Sequence, residues 1–308
     1  MTSPHLPATV GADLGVFVQL VEDAVTSIHS KRAYRRAIAD FLAWWTEHGR
    51  GELSKADVRR YAAELAAEGK SPANINQRLC AIRKLVREAA DNGALPEATA
   101  AGICRVEGLR QEGQRRGNWL SKAQAERLLD APDTSTLKGA RDRALFALLL
   151  GCGLRRAELA ALTFDHLQQR DARWVVLDLV GKRQRVRTVP MPAWCKALVD
   201  QWARAAGIAS GHVLRPLDKA GRVAGERLST SAIYKVVGEY ARALGWEDIA
   251  PHDLRRTFAQ LAHKGRAPVD QIQLSLGHSS IVTTERYLGV EQSLLDAPCD
   301  RLGLRVTL

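Results

Sequence analysis

His252-Asp253-Leu254-Arg255 is followed in this chain by Leu276-Gly277-His278, and Tyr287 stands nine residues beyond that histidine. Two histidines, an arginine and a tyrosine are parts with which side chains alone can move a phosphoryl group. A phenolic oxygen can attack phosphorus, a guanidinium can hold phosphate charge, and imidazoles can donate or accept protons. Upstream, Gly153-Leu154-Arg155-Arg156-Ala157-Glu158 supplies a second arginine with a carboxylate one helical turn on, and Gly181-Lys182 supplies a lysine. Each fragment alone has a plainer explanation. An isolated Arg-x-x-Glu is usually an exposed salt bridge. A lysine among Arg183, Arg185 and Arg187 is usually a solvated tip, and a lone tyrosine usually packs. The chain's other tyrosines, Tyr34, Tyr61, Tyr234 and Tyr240, lack any such neighbourhood.

The spacing predicts how these residues are held. His252 and Arg255 are three apart and share one face of a helix that Pro251 opens and Leu254 anchors. Gly277 suits a helix C-cap and leaves His278 beside it. Thr283-Thr284 fit the start of a further helix over 282–287, with Tyr287 about a turn along. An apolar helix over 141–152 breaks at Gly151-Cys152-Gly153, which places Arg155 just past its end.

The remaining elements follow from periodicity and caps. A loose tail over 1–12 precedes a short helix over 13–24. Ser30 opens a helix to His48, with Tyr34, Ile38, Phe41, Leu42 and Trp45 at helical spacing. Ser54 with Asp57 caps a helix to Glu68, and Ser71-Pro72 opens one to Asp91 with Ile75, Leu79, Ile82, Leu85 and Val86 inward. This is a four-helix module closed by Asn92-Gly93. Residues 105–118 are polar, basic and aperiodic and read as an interdomain linker. Helices are predicted over 121–130, 193–206, 229–244, 252–264 and 269–276. Trp174–Leu179 and Val186–Val189 alternate as a hairpin around the turn at 181–184. The expected class is mainly α. An all-helical domain over 1–104 is followed, past the linker, by an α+β domain over 119–308, mostly helical with a small antiparallel sheet.

Composition narrows the partner. Of 308 residues, 45 are Lys or Arg and 34 Asp or Glu, a formal charge of +11, and an apolar share of 46% suffices for real cores. The excess lies mostly in residues 118–308, with 28 basic against 20 acidic side chains. An acidic polymer fits this balance, although charge alone does not fix it. Five scattered cysteines form no Cys-x-x-Cys pair, which points to small buried hydrophobes in a reducing compartment rather than disulfides or zinc. Cys104 to Arg110 has the spacing of a phosphatase loop but lacks its histidine and glycines. No apolar run suits a membrane span, and the N-terminus does not read as a signal peptide.

The Gly-Leu-Arg, Gly-Lys, His-x-Leu-Arg-Arg-Thr and Leu-Gly-His-x8-Tyr segments together resemble the tyrosine recombinase (phage integrase) family over roughly Ser30–Tyr287. Arg256 stands where many members carry histidine. The resemblance implies a SAM-like core-binding domain followed by a catalytic domain, forming a C-shaped clamp on double-stranded DNA. It implies Tyr287 as nucleophile, giving a 3′-phosphotyrosine and a free 5′-hydroxyl. It implies Arg155, Arg255 and His278 around the phosphate and Lys182 as general acid in the minor groove. His252 assists proton transfer and Glu158 orients the cluster. No cofactor, metal or ATP is implied. Four protomers on two DNA sites, a monomer or weak dimer off DNA, accessory DNA-bending proteins, and a cytoplasmic, nucleoid-associated setting without membrane complete the picture. The linker is read either as a strap on DNA phosphates or as a solvated loop. The end segment Gln292–Leu308 docks either on its own domain or on a neighbour. Two other readings share the chemistry or the charge: a type IB topoisomerase, and a non-enzymatic DNA-binding regulator.

Overall fold

The structure is a computed structural model that describes residues 14–25, 27–48, 52–110, 118–180 and 186–278, together with 284 and 288. The chain divides into two compact units, Met1–Gly113 and Gln114–Leu308. The expected tail, the hairpin turn, Lys182, Tyr287 and the end segment lie outside the described residues.

The first unit is helical: α1 (Leu14–Asp23), α2 (Ile28–His48), α3 (Lys55–Ala67), α4 (Pro72–Asp91) and α5 (Glu97–Cys104). Two of its starts are where the caps placed them, whereas α2 begins at Ile28, so Ser30 lies inside the helix and does not cap it. Ser54 Oγ accepts from the Asp57 N–H while Asp57 Oδ2 accepts from the Ser54 N–H at 3.0 Å. Ser71 Oγ accepts from the Asn74 N–H at 3.3 Å, with Pro72 opening α4. Ile75, Leu79, Ile82, Leu85 and Val86 are all buried, packed on Phe41, Val58 and Tyr61 or on Phe17, Val21 and Ile38. The module therefore has a fifth helix where four were expected. In α5 only Ala100 and Ile103 are buried, too few positions to show a period. The first half of the expected linker is anchored to this unit. Val106 is buried and its carbonyl accepts from Arg83, while Asn76 and Leu109 exchange hydrogen bonds at 2.9 and 2.8 Å.

The second unit contains α6 (Lys122–Asp130), α7 (Leu137–Cys152), α8 (Arg156–Ala161), a 3-10 turn (Phe164–His166), β1 (Leu167–Arg170), β2 (Arg173–Val180) and β3 (Val186–Pro190). It continues with α9 (Ala193–Ala206), α10 (Thr230–Ala243), α11 (Pro251–Lys264) and α12 (Val269–Leu276). The strands form one antiparallel sheet in the order β1-β2-β3, with Leu167 opposite Val176 and Val176 opposite Val189. Strand β1 was not anticipated, because only Leu167 of its four residues is buried. Helix α7 is the spine of the core. It starts at the Thr136 cap, earlier than its apolar run suggested, and Ala144–Cys152 are buried throughout. Trp202 of α9 packs there with its indole N–H donated to the Val213 carbonyl at 2.7 Å. Cys152 and Cys195 are buried as expected, whereas Cys80 is exposed. Among the described residues no helix is long and apolar enough to cross a membrane. The expected class stands: mainly α, with a helical first unit and a mostly helical second unit that carries a small antiparallel sheet.

Candidate active site

The site is built where helices end. Helix α7 stops at Gly153 in the left-handed conformation, φ +57°. A Cβ there would lie 2.6 Å from Phe258 Cδ1, so glycine is required by both backbone and packing. The turn buries Leu154 and makes Arg155 the N-cap of α8. Glu158 then reaches back: its Oε2 accepts from the Arg155 N–H at 2.7 Å and its Oε1 from Arg155 Nη1 at 2.8 Å. This is the reciprocal half of a capping box, with arginine at the cap.

Helix α11 brings the second arginine. Pro251 opens the helix and Asp253 Oδ2 accepts from the Ala250 N–H at 3.0 Å. Leu254 is buried in the core, and Thr257 Oγ accepts from the Leu120 N–H at 2.9 Å, which ties the start of the unit to the motif. Arg255 is 1% exposed. Its Nη1 donates to the Gly153 carbonyl at 2.5 Å and its Nη2 to the Leu276 carbonyl. These two acceptors sit at the C-terminal ends of α7 and α12, where the helix dipole is negative. One guanidinium thus joins the Gly-Leu-Arg and Leu-Gly-His segments.

Helix α12 ends at Gly277, φ +63°, and its carbonyl accepts from Arg155 Nη2 at 3.4 Å. His278 follows. Its Nδ1 is 3.0 Å from the hydroxyl of Thr284, which is fully buried. Leu288, bonded to Tyr287, is buried against Ala259, Ile272 and Leu276, and its carbonyl accepts from Gln260 Nε2 at 2.8 Å. Arg155, Glu158, Arg255 and His278 are therefore brought together, and His252, three residues before Arg255 on α11, lies close enough to feel the charges of Arg255 and Arg155.

Sequence reasoning missed Arg187. It read as part of a solvated tip, yet its side chain is 9% exposed. Nη1 and Nη2 donate to Glu158 Oε1 and Oε2 at 2.8 Å each, and Nε donates to the Ser275 carbonyl at 2.9 Å. The signal was available in strand alternation. Arg187 shares a strand face with Val189, which is buried.

The charges shape the titrations. Burial alone would push the Glu158 carboxyl up, but Arg187 and then Arg155 outweigh it and hold the group at about 2. Burial first, then Arg256 and Arg255, pulls His252 below its ordinary value. Burial first, then Arg255 and Arg155, pulls His278 down to about 4. Both shifts favour the neutral imidazole at pH 7. A His whose folded pKa is depressed favours the unfolded chain once the unfolded form protonates. His278 accordingly removes stability as pH falls from about 6.5 towards about 4, and none of this penalty is present above that window. Urea unfolding followed across this window is expected to show a steeper loss for the wild type than for His278→Gln. Equal slopes would dismiss His278 as a contributor. Among the described residues no group of three or more His, Cys, Asp or Glu is placed to hold a metal ion.

Comparison with known proteins identifies the family. Residues 118–293 match the phage integrase family and residues 17–93 its N-terminal SAM-like domain. Tyrosine recombinase XerC of Xanthomonas campestris pv. campestris is 30% identical over 291 residues, 93% of this chain and 86% of that protein. XerC of Pseudomonas putida is 30% identical over 282 residues, 89% of each chain. Two solved structures share the fold. XerH recombinase bound to a palindromic difH substrate has a TM-score of 0.69 at 19% identity, over 91% of this chain and 81% of that one. The Tn1549 transposon integrase in complex with transposon right end DNA has 0.70 at 17%, over 94% and 99%. The chain belongs to the phage integrase family and is a tyrosine-type site-specific recombinase.

Proposed function

We propose that this recombinase cuts and rejoins double-stranded DNA through a 3′-phosphotyrosine on Tyr287, exchanging strands between two sites without nucleotide or metal. The observation that carries the reading is the Arg255 bridge. It locks two helix ends so that Arg155 and His278 are held around one point, with three guanidiniums beside the Glu158 carboxylate. Preorganised charge of this kind is the main lever on a phosphoryl transition state. Tyr287 attacks phosphorus, the 3′-phosphotyrosine forms, and the 5′-oxygen leaves. Lys182 gives the leaving oxygen its proton, and His252 assists transfer. We assign the Thr284 hydroxyl as donor to His278 Nδ1, which selects the tautomer whose Nε2–H donates to a phosphate oxygen. The phosphodiester energy stays in the covalent link. The 5′-hydroxyl of a partner duplex then attacks it and releases Tyr287.

DNA as partner is supported by the related complexes and by the first unit. There an open cleft of about 330 Å³ is lined by Arg36, Lys70 and Arg78 with Asn74 and Gln77. Basic groups suit phosphates and amides suit base edges. We assign the first unit to core DNA binding and the second to catalysis, working as a tetramer on two sites. A suicide duplex, nicked so that cleavage is trapped, tests the reading. A covalent protein–DNA adduct should accumulate equally with and without excess EDTA, because side-chain cations take the place of a metal. Activity lost in EDTA and restored by Mg²⁺ would falsify the mechanism.

A further inference from the structure

We propose that Arg187, on β3, is a positioning residue for the phosphate-binding cluster. It sets Arg155 through Glu158, and it fixes the end of α12 from which His278 emerges. This rests on the assignment of Arg155 and His278 to the reacting phosphate.

Glu158 is the hub. A carboxylate offers about four acceptor positions, and all four are taken. Oε1 receives Arg155 Nη1 and Arg187 Nη1, each at 2.8 Å. Oε2 receives the Arg155 N–H at 2.7 Å and Arg187 Nη2 at 2.8 Å. Were Arg155 the sole partner, the pair would be neutral, and the carboxylate would cancel the charge meant for phosphate. Sharing it with Arg187 leaves the trio with a net positive charge. It also satisfies a buried anion that two bonds from Arg155 alone would leave half paired. The side chain of Arg155 remains 32% exposed, whereas that of Arg187 is 9% exposed. The first guanidinium is open to a ligand and the second is built in.

The other edge of Arg187 holds α12. Nε donates to the Ser275 carbonyl at 2.9 Å, one of the carbonyls left unsatisfied where the helix ends. Arg187 also lies against Gly277. A Cβ at that position would stand 2.8 Å from Arg187 Cδ, and φ is +63°. The glycine of Leu-Gly-His is thus demanded twice, by the left-handed cap and by the arginine lying on it. Arg187 follows Lys182 by five residues in the sequence. The strand that leaves the lysine segment is therefore pinned to the carboxylate that orients Arg155 and to the helix end that presents His278.

The test uses the full-length protein on the nicked suicide duplex. Arg187→Lys keeps charge but loses the fork; Arg187→Met loses both. Single-turnover cleavage should fall about 10- to 100-fold for Arg187→Lys and further for Arg187→Met, less than the roughly 100- to 1000-fold for losing a donor that itself touches the transition state. DNA affinity should stay within about threefold. Because Arg187 acts through Glu158, Arg187→Met combined with Glu158→Gln should cleave no more slowly than Arg187→Met alone. The double variant also removes the unpaired buried anion, so it reports even where Arg187→Met folds poorly. A substrate with sulfur in place of the bridging 5′-oxygen no longer needs a proton on its leaving group, and it should not rescue Arg187→Lys. Rescue by sulfur would place Arg187 with the leaving-group acid and overturn the assignment. So would wild-type cleavage by the folded fraction of either single variant, or fully additive losses with Glu158→Gln. Tyr287→Phe on the same duplex separates the two levels. Adducts persisting there sink the nucleophile assignment itself, whereas none there with unimpaired Arg187 variants sinks only this inference.

Discussion

Tyr287→Phe is expected to yield no covalent protein–DNA adduct and to bind DNA within about twofold of the wild type. Only the phenolic oxygen is lost, while affinity comes mainly from phosphate contacts spread over the protein. The other tyrosines are occupied elsewhere. Tyr34 lies 3.4 Å from Cys80 Sγ, and that hydrogen bond together with burial pushes its phenol up to about 12. Burial raises Tyr61, outweighing Arg78 beside it. Burial and then Asp142 raise Tyr240. These shifts disfavour the phenolate a nucleophile needs. Tyr234 is 52% exposed and stacks with Arg156, 5.8 Å from ring centroid to guanidinium carbon. Tyr287 is left, bonded to a leucine whose carbonyl is held by Gln260 on the same helix as His252 and Arg255. Denaturing gels of the trapped suicide complex give the answer, and an adduct with the Phe variant would pass the role to another side chain.

Arg155→Lys is expected to slow single-turnover cleavage by at least about a hundredfold, the scale of removing one preorganised donor site. Lysine keeps the charge but loses the planar fork. DNA binding should weaken far less, since many basic groups share it. Arg255→Lys should cost at least as much in rate and also destabilise the fold. Its Nη1 and Nη2 bridge the Gly153 and Leu276 carbonyls from a site 1% exposed, and one ammonium cannot span both. Leaving a buried acceptor unpaired costs about 1–3 kcal/mol, so the thermal midpoint should drop more for this variant than for Arg155→Lys. Arg156→Lys is the control, because a cation over the Tyr234 ring survives the change. Should Arg156→Lys prove more damaging than Arg155→Lys, the phosphate-binding arginine of the Gly-Leu-Arg segment is the later one.

What the sequence by itself determined is local. Caps at Ser54, Ser71 and Ser121, the apolar run of α7 and the alternation of β2 and β3 depend on neighbours a few residues away, and these elements form where they were expected, except that α7 begins a turn earlier. The resemblance rests on short segments for the same reason. Arg155, Glu158, His252, Arg255 and His278 were each legible from the few residues beside them. Helix α5 and strand β1 were not. Each has at most two buried positions, so each holds its shape through packing that no period records. The tertiary structure alone decided how the segments meet. Arg255 reaches carbonyls 102 and 21 residues away, and Arg187 reaches Glu158 across 29 residues and Ser275 across 88. It also decided why Gly153 and Gly277 are glycines, since Phe258 and Arg187 occupy the space a side chain would fill. A buried guanidinium must find its acceptors wherever the fold delivers them. Sequence spacing therefore shows that an arginine is present, and only packing shows whether it faces water, a phosphate or the end of another helix.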